Sequence, residues 1–256
     1  EIIVGNKDWL MACSASAGPA LEGAGVECGM MAQQGAIEKV WLEDGEIRTE
    51  VIGGGAPDGI CGSGIIDLIA TLLERGLIDR GGKLVEGTDP RIRFKRRQGR
   101  FLVAGKRESS SGREIALYQD DIDNVVTAKA AIFAAAKIML ERLDLAFSDV
   151  DKLFIAGGFG NYINLKSAVA IGLFPDLPLA RMAYVGNTSV WGAKLAALSG
   201  EAREALYEIS SRTTNYDLMG TTDYVEQFRQ AMFLPHTNIE LFPSTAEGTA
   251  AQQGAD

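Results

Sequence analysis

"LFIAGGFGNYIN", residues 153–164, is the stretch whose reading decides the fold. The apolar run from Leu153 to Ala156 reads as a short buried strand, and it runs straight into Gly157, Gly158 and Gly160. A helical pattern, "NLKSAVAIGLF" (164–174), begins at once. A strand that ends on glycines either packs where no side chain fits or presents bare backbone to a ligand.

Three more stretches repeat the theme: "YVGNTSVWGA" (184–193), "GGGAPDGICGSG" (53–64) and "CSASAGPALEG" (13–23). Each can place unpaired backbone N–H groups at a helix N-terminus, where the helix dipole favours phosphate. One such turn is as readily a packing device; four in one chain point to a nucleotide cleft. The pattern is not a P-loop, because no glycine run ends in Lys-Ser or Lys-Thr, and "GGFGNY" lacks the dinucleotide spacing.

The rest of the chain reads as an alternation of strands and helices. "EIIVGN" and "WLMACSA" are two strands joined by a turn at Asn6 to Asp8. "AIEKVWLEDGEIRTEVIGG" is a hairpin turning at Asp44-Gly45. "GICGSGIIDLIATLLERG" is a helix with Ser63 as N-cap, Gly76 as stop and Ile65, Ile66, Ile69, Leu72 and Leu73 as its apolar face. The helix "DDIDNVVTAKAAIFAAAKIMLERL" opens on Asp120, Asp121 and Asp123, whose charge suits the dipole. "MAYVGN" is a further strand, three more helices follow, and residues 243–256 carry too little to bury and are expected to be disordered. This order predicts an α/β sheet covered by helices.

Composition narrows the chemistry. A chain of 256 residues with 46% hydrophobic content can bury roughly three quarters of its unfolded surface without disulfides or metals. The net charge of −9 argues against sequence-independent nucleic-acid binding and suits a cytoplasmic protein. No apolar run reaches the roughly 18 residues of a membrane span, and no signal peptide is visible. Cys13, Cys28 and Cys61 have no metal-pair spacing and read as reduced core thiols. The single histidine, His236, excludes Ser-His-Asp and His-rich metal mechanisms within this chain. "RIRFKRRQGRFLVAGKR" (91–107) holds eight Lys or Arg and no acid; it is a solvated hairpin with a charged edge or a docking patch for an acidic partner. The opening "EIIVGNKDWLMACSA", without a methionine and inside a strand, reads as a fragment whose beginning lies upstream.

"LFIAGGFGNYIN" resembles the adenosine motif of the actin-like ATPase superfamily of sugar kinases, chaperone ATPases and actin. More specifically, "ACSASAGPALEGAGVECGM", "GICGSGIIDLIA", "DIDNVVTAKAAIFAAAKIML", "LFIAGGFGNYIN", "SAVAIGLFPDLP" and "YVGNTSVWGAKLAAL", in that order, resemble the C-terminal ATPase domain of the reductive activators of corrinoid-dependent enzymes. The resemblance covers residues 1–242. It implies an actin-like, ribonuclease-H-like lobe: a mixed sheet covered by helices, with a β-hairpin insertion.

The resemblance also implies a function. The full protein would bind ATP, with Mg2+ held through water, and drive the return of a Co(II) corrinoid protein to Co(I) for methyl transfer. Its partners would be the corrinoid protein and its methyltransferase, and it would be a homodimer. The family's [2Fe–2S] ferredoxin-like domain, first ATPase lobe and aspartate-bearing phosphate turn belong upstream of Glu1, so this chain would be mostly the second lobe, binding nucleotide weakly by itself. By the same resemblance Gly157, Gly158 and Gly160 would meet the adenosine or α-phosphate, with Phe159 and Asn161 shaping that edge. Ser14, Ser16 and Gly18 would form the small-residue turn near the phosphates; Gly62, Ser63 and Gly64 are a further candidate turn or a simple helix cap. Glu22 and Asp67 would hold a magnesium-bound water or be exposed first-turn acids. No catalytic base is expected in this chain. A small-molecule kinase of the same superfamily and a non-catalytic dimerisation or docking module are the alternatives.

Overall fold

The computed structural model describes residues 1–96, 98–158, 162–218 and 222–245. Its strands are β1 (Ile2–Gly5), β2 (Leu10–Cys13), β3 (Ala36–Glu43), β4 (Glu46–Val51), β5 (Gly59–Ile60), β6 (Ile92–Lys95), β7 (Gln98–Ala104), β8 (Ile115–Tyr118), β9 (Leu153–Ala156), β10 (Met182–Gly186) and β11 (Thr213–Asn215). The helices are α1 (Gly62–Glu74), α2 (Gln119–Glu141), α3 (Leu165–Ala170), α4 (Thr188–Leu198), α5 (Gly200–Ser211) and α6 (Thr222–Ala231). The fold is α/β with mixed strand directions, distributed over four short sheets among the described residues. The chain divides into two compact units, with one boundary inside α2 between Ala130 and Ala131.

The first unit comprises Glu1–Ser16, Ala131–Tyr162 and Leu177–Phe228. β1 and β2 form the expected antiparallel hairpin, its turn closed by the Asn6 carboxamide oxygen, which accepts from the Asp8 and Trp9 N–H groups. β11 joins β2 in parallel. Its "TTN" carries no apolar alternation, so nothing in the sequence marks it as a strand. β9 and β10 pair in parallel as a second sheet. The second half of α2 brings Ala135, Ile138 and Met139, one helical face, against Cys13 and Leu218. The Cys13 thiol lies 3.0 Å from the Met139 sulfur, which bears out the reading of this cysteine as a core thiol.

The second unit comprises Ala17–Ala130, Ile163–Asp176 and Arg229–Asp256. The β3–β4 hairpin turns at Asp44 and Gly45, both with positive φ (52° and 76°), the geometry that Asp-Gly favours. α1 departs from expectation. Residues Gly62 to Leu72 are buried all round, so it is a core helix rather than one with a single apolar face. Its N-cap is Cys61, not Ser63, and Gly76 ends it at φ 66°. β6, β7 and β8 form an antiparallel sheet that accounts for the basic run as a hairpin. Asp121 does more than serve the helix dipole: its carboxylate accepts from the Glu27 and Tyr118 N–H groups, both at 2.9 Å, and burial raises its pKa.

The segment after α6 is clamped by buried polar groups. The Lys129 ammonium, fully buried, donates to the carbonyls of Phe233 (2.5 Å) and Pro235 (2.7 Å). Arg80 donates to the carbonyls of Leu234 and His236. Gly172, at φ 75°, has no room for a Cβ, which would stand 2.1 Å from the Pro235 oxygen. His236 is itself fully buried. Pro243 to Thr245, the first residues of the segment expected to be disordered, include Ser244, whose N–H and hydroxyl bind the Asp176 carboxylate. Residues 246–256 lie outside the described residues.

Burial pulls the Lys129 pKa down to about 7, against roughly 10.4 in an unfolded chain. Between those values the unfolded chain binds a proton that the folded one lacks, so this lysine makes stability rise with pH over the window and adds no slope below it. Lys129→Met removes that slope and orphans two carbonyls, at about 1–3 kcal/mol each. Denaturant titrations of both proteins at pH 7 and pH 10 are expected to show a wider gap at pH 10. An equal gap at both values would refute this account.

Candidate functional site

In the first unit, β9 and β10 run in parallel; β10 ends on Gly186, and β9 ends on Ala156 with Gly157 next in the chain. The Gly157 N–H donates to the Gly186 carbonyl at 2.8 Å, so the two glycine turns lie side by side at the carboxyl ends of the strands. That end of an α/β sheet is where ligands ordinarily bind. Gly157 has φ 105°, which only glycine adopts comfortably. Gly158 has an unstrained φ, and a Cβ at either position would meet no heavy atom of the described residues within 4 Å. Among the described residues, packing requires neither glycine, and conformation requires only Gly157. Phe159, Gly160 and Asn161 continue this turn and lie outside the described residues.

The neighbouring turn holds Gly186 at φ 71° and then Asn187, whose side-chain oxygen caps α4 by accepting from the Val190 N–H at 3.2 Å. Asn187, Thr188 and Ser189 are exposed. Gly186 and Asn187 were not among the residues singled out for ligand contact, although "YVGNTSVWGA" marked the turn. The missing signal was the parallel pairing that sets it beside Gly157.

The remaining candidates divide between the units. Ser14 and Ser16 are exposed after β2 in the first unit, and the Ser14 hydroxyl donates to the Glu1 carboxylate at 2.7 Å. Gly18 belongs to the second unit, at φ 65° with open space around it. Glu22 is exposed on the 3-10 turn Ala20–Glu22.

Gly62, Ser63 and Gly64 are buried in the first turn of α1. The Ser63 hydroxyl donates to the Glu38 carbonyl at 2.9 Å. A Cβ on Gly64 would stand 2.3 Å from the Ile37 oxygen, so this glycine lets α1 press onto β3. Asp67, expected to be exposed or to hold a hydrated metal, is instead 3% exposed. It accepts from the Val40 N–H at 3.2 Å. Burial raises its pKa above the usual carboxylate range, against the opposing pull of the Ser167 hydroxyl, the Val40 N–H and Lys39. It joins α1 to β3 and is remote from solvent chemistry.

The three cysteines do not form a cluster site. Cys13 sits in the first unit, Cys28 and Cys61 in the second, and Cys61 is bonded to the Ile37 carbonyl at 3.4 Å. Among the described residues no group of three His, Cys, Asp or Glu side chains is arranged to hold a metal ion. The donor set does not fit an iron–sulfur cluster.

Comparison with known proteins bears on the family and the fold. The model of a family described as the C-terminal domain of RACo, the ASKHA domain, matches residues 1–246. The corrinoid activation enzyme RamQ of Eubacterium limosum is 39% identical over 236 residues, which cover 89% of this chain and 40% of that protein. The [Co(II) methylated amine-specific corrinoid protein] reductase of Methanosarcina barkeri is 26% identical over 246 residues, 86% of this chain and 41% of the relative. The solved structure of a reductive activator for corrinoid, iron-sulfur protein superposes with a TM-score of 0.89 at 45% identity, covering 94% of this chain and 39% of that one. The chain thus spans about two fifths of the length of the relatives it matches.

The two kinds of glycine separate in a stability measurement. Gly64→Ala is expected to cost about 1–3 kcal/mol through overpacking against Ile37, despite alanine's better helix propensity. Gly158→Ala is expected to stay within about 0.5 kcal/mol of the parent. Asp67→Asn tests the buried acid. The Asp67 carboxyl, with its folded pKa raised, contributes stability that is present below the unfolded value near 4 and lost as pH rises through the folded value. The variant should therefore gain relative to the parent between pH 4 and pH 7; a gap that does not move with pH would contradict the assignment.

Proposed function

The chain belongs to the family of the C-terminal ASKHA domain of RACo, and on that premise we propose that it is the nucleotide-binding motor domain of a larger reductive activator. That protein returns a corrinoid protein from Co(II) to Co(I), so that the cobalt can again accept a methyl group. The reading draws on what the relatives are named for: corrinoid activation in one and reduction of a Co(II) corrinoid protein in another.

The observation that carries it is Gly158. Gly158 leaves bare backbone at the carboxyl end of β9, beside the Gly186–Asn187 turn to which Gly157 is hydrogen-bonded, the end of an α/β sheet where ligands bind. In this reading Gly157 and Gly158 meet the adenosine or α-phosphate of ATP, and Phe159, Gly160 and Asn161 complete that edge. Ser14, Ser16 and Gly18 are the phosphate-side candidates. Gly62, Ser63 and Gly64 shape the second unit from inside. Mg2+ arrives with the nucleotide, held through water, with Glu22 as the exposed carboxylate nearest in sequence to the phosphate-side turn. The electron comes from a [2Fe–2S] cluster held elsewhere in the protein, which works in the cytoplasm as a homodimer beside a corrinoid protein and its methyltransferase.

ATP has an energetic task in this scheme. A coupling free energy of roughly 3 kcal/mol between nucleotide and partner sites is equivalent to about 130 mV for one electron. A shift of that size makes an otherwise uphill transfer from a ferredoxin-type donor to Co(II) attainable.

The test uses the full-length protein with its cluster reduced, mixed with Co(II) corrinoid protein from the same organism, with and without Mg-ATP. Absorption of Co(I) is expected only when ATP is present. Consumption of ATP with cobalt remaining Co(II) would leave the fold standing and sink the function.

A further inference from the structure

The sheet β6–β7–β8 has two faces of opposite character. Ile92, Phe101 and Leu117 point inward and are buried. On the other face the cross-strand register sets Arg93 opposite Arg100, Lys95 opposite Gln98, and Arg100 opposite Tyr118. Like charges directly opposite on neighbouring strands repel, so this arrangement needs a reason. Arg100 is compensated: it pairs with Glu114 at 2.8 Å and lies over the Tyr118 ring. Gln98 donates to the Asp120 carboxylate at 3.2 Å. Arg93 and Lys95 form no ion pair among the described residues. Arg96 extends the row at the hairpin tip, held at φ 49°. Arg93, Phe94, Lys95, Gln98, Arg100 and Tyr118 line an open hollow of about 350 Å3.

We propose that the outward face of β6–β8, centred on Arg93, Lys95 and Arg96, docks a carboxylate-rich surface of a partner protein, with one carboxylate seated at Arg93 and Lys95 beside the Arg100–Glu114 pair. Three features favour this occupant. The cations form a row along the hairpin rather than a single cage, which matches several carboxylates better than one small anion. The face is opposite in sign to a chain whose net charge is −9, so the attraction is local and orienting. Tyr118 and Gln98 add a hydroxyl and an amide beside the guanidinium groups, which suits carboxylate oxygens. The inference does not depend on the corrinoid reading; only the identification of the corrinoid protein as owner of that surface rests on it.

The test titrates fluorescein-labelled decaglutamate into the full-length protein by anisotropy, for the parent and for Arg93→Glu/Lys95→Glu, at low and high salt. The parent is expected to bind, more weakly as salt rises, and the variant to lose about tenfold or more in affinity. Both side chains are exposed, so the variant should melt with the parent. Equal affinity of parent and variant overturns the proposal. Binding of tripolyphosphate through the same residues without binding of the peptide also overturns it, in favour of a small-anion site. The cognate corrinoid protein is measured in parallel. If it fails to bind the parent while the peptide result holds, the docking face stands and the corrinoid partner falls.

Discussion

One backbone hydrogen bond, from the Gly157 N–H to the Gly186 carbonyl, sets the character of the first unit. It continues the parallel β9–β10 pairing one residue past the end of β9 and brings two glycine turns together. A side chain at Gly157 would have to adopt φ 105°, a strained conformation for any residue but glycine. Gly158, next to it, is under no such constraint. Local geometry thus demands one glycine, and the second leaves bare backbone beside it.

Not every glycine in a turn has that meaning, and here the sequence was least decisive. "GGFGN" and "GICGSG" look alike as text. In space Gly64 and Gly158 differ: a Cβ on Gly64 would stand 2.3 Å from the Ile37 oxygen, and one on Gly158 would meet no heavy atom of the described residues within 4 Å. The difference lies in what packs across from each turn, which depends on the β3–α1 contact and cannot be read from neighbours in sequence. The hairpin at Asp44-Gly45, the core helix α2 and the strand–turn–helix order were legible, because they rest on local turn chemistry and periodicity. β11 was not, because three polar residues become a strand only through their pairing with β2.

Buried charge follows the same division. Asp67 reads as a first-turn acid and proves to be an internal tie between α1 and β3. Lys129 holds the carbonyls of the segment after α6. Both side chains are polar because backbone groups opposite them need partners, not because they meet a substrate. The cations of β6 and β7 differ from them. They lie on the solvent face of a sheet, where Arg93 stands opposite Arg100 across the strands.

The central claim is that the Gly157–Gly158 turn is bare so that a nucleotide can reach the backbone. Its most direct test is the affinity of Mg-ATP for the full-length protein and its Gly158→Val variant, by calorimetric titration, with melting temperatures measured alongside. The account predicts an unchanged melting temperature and an affinity lower by about tenfold or more, roughly 1.4 kcal/mol. Equal affinities in two equally stable proteins would contradict it.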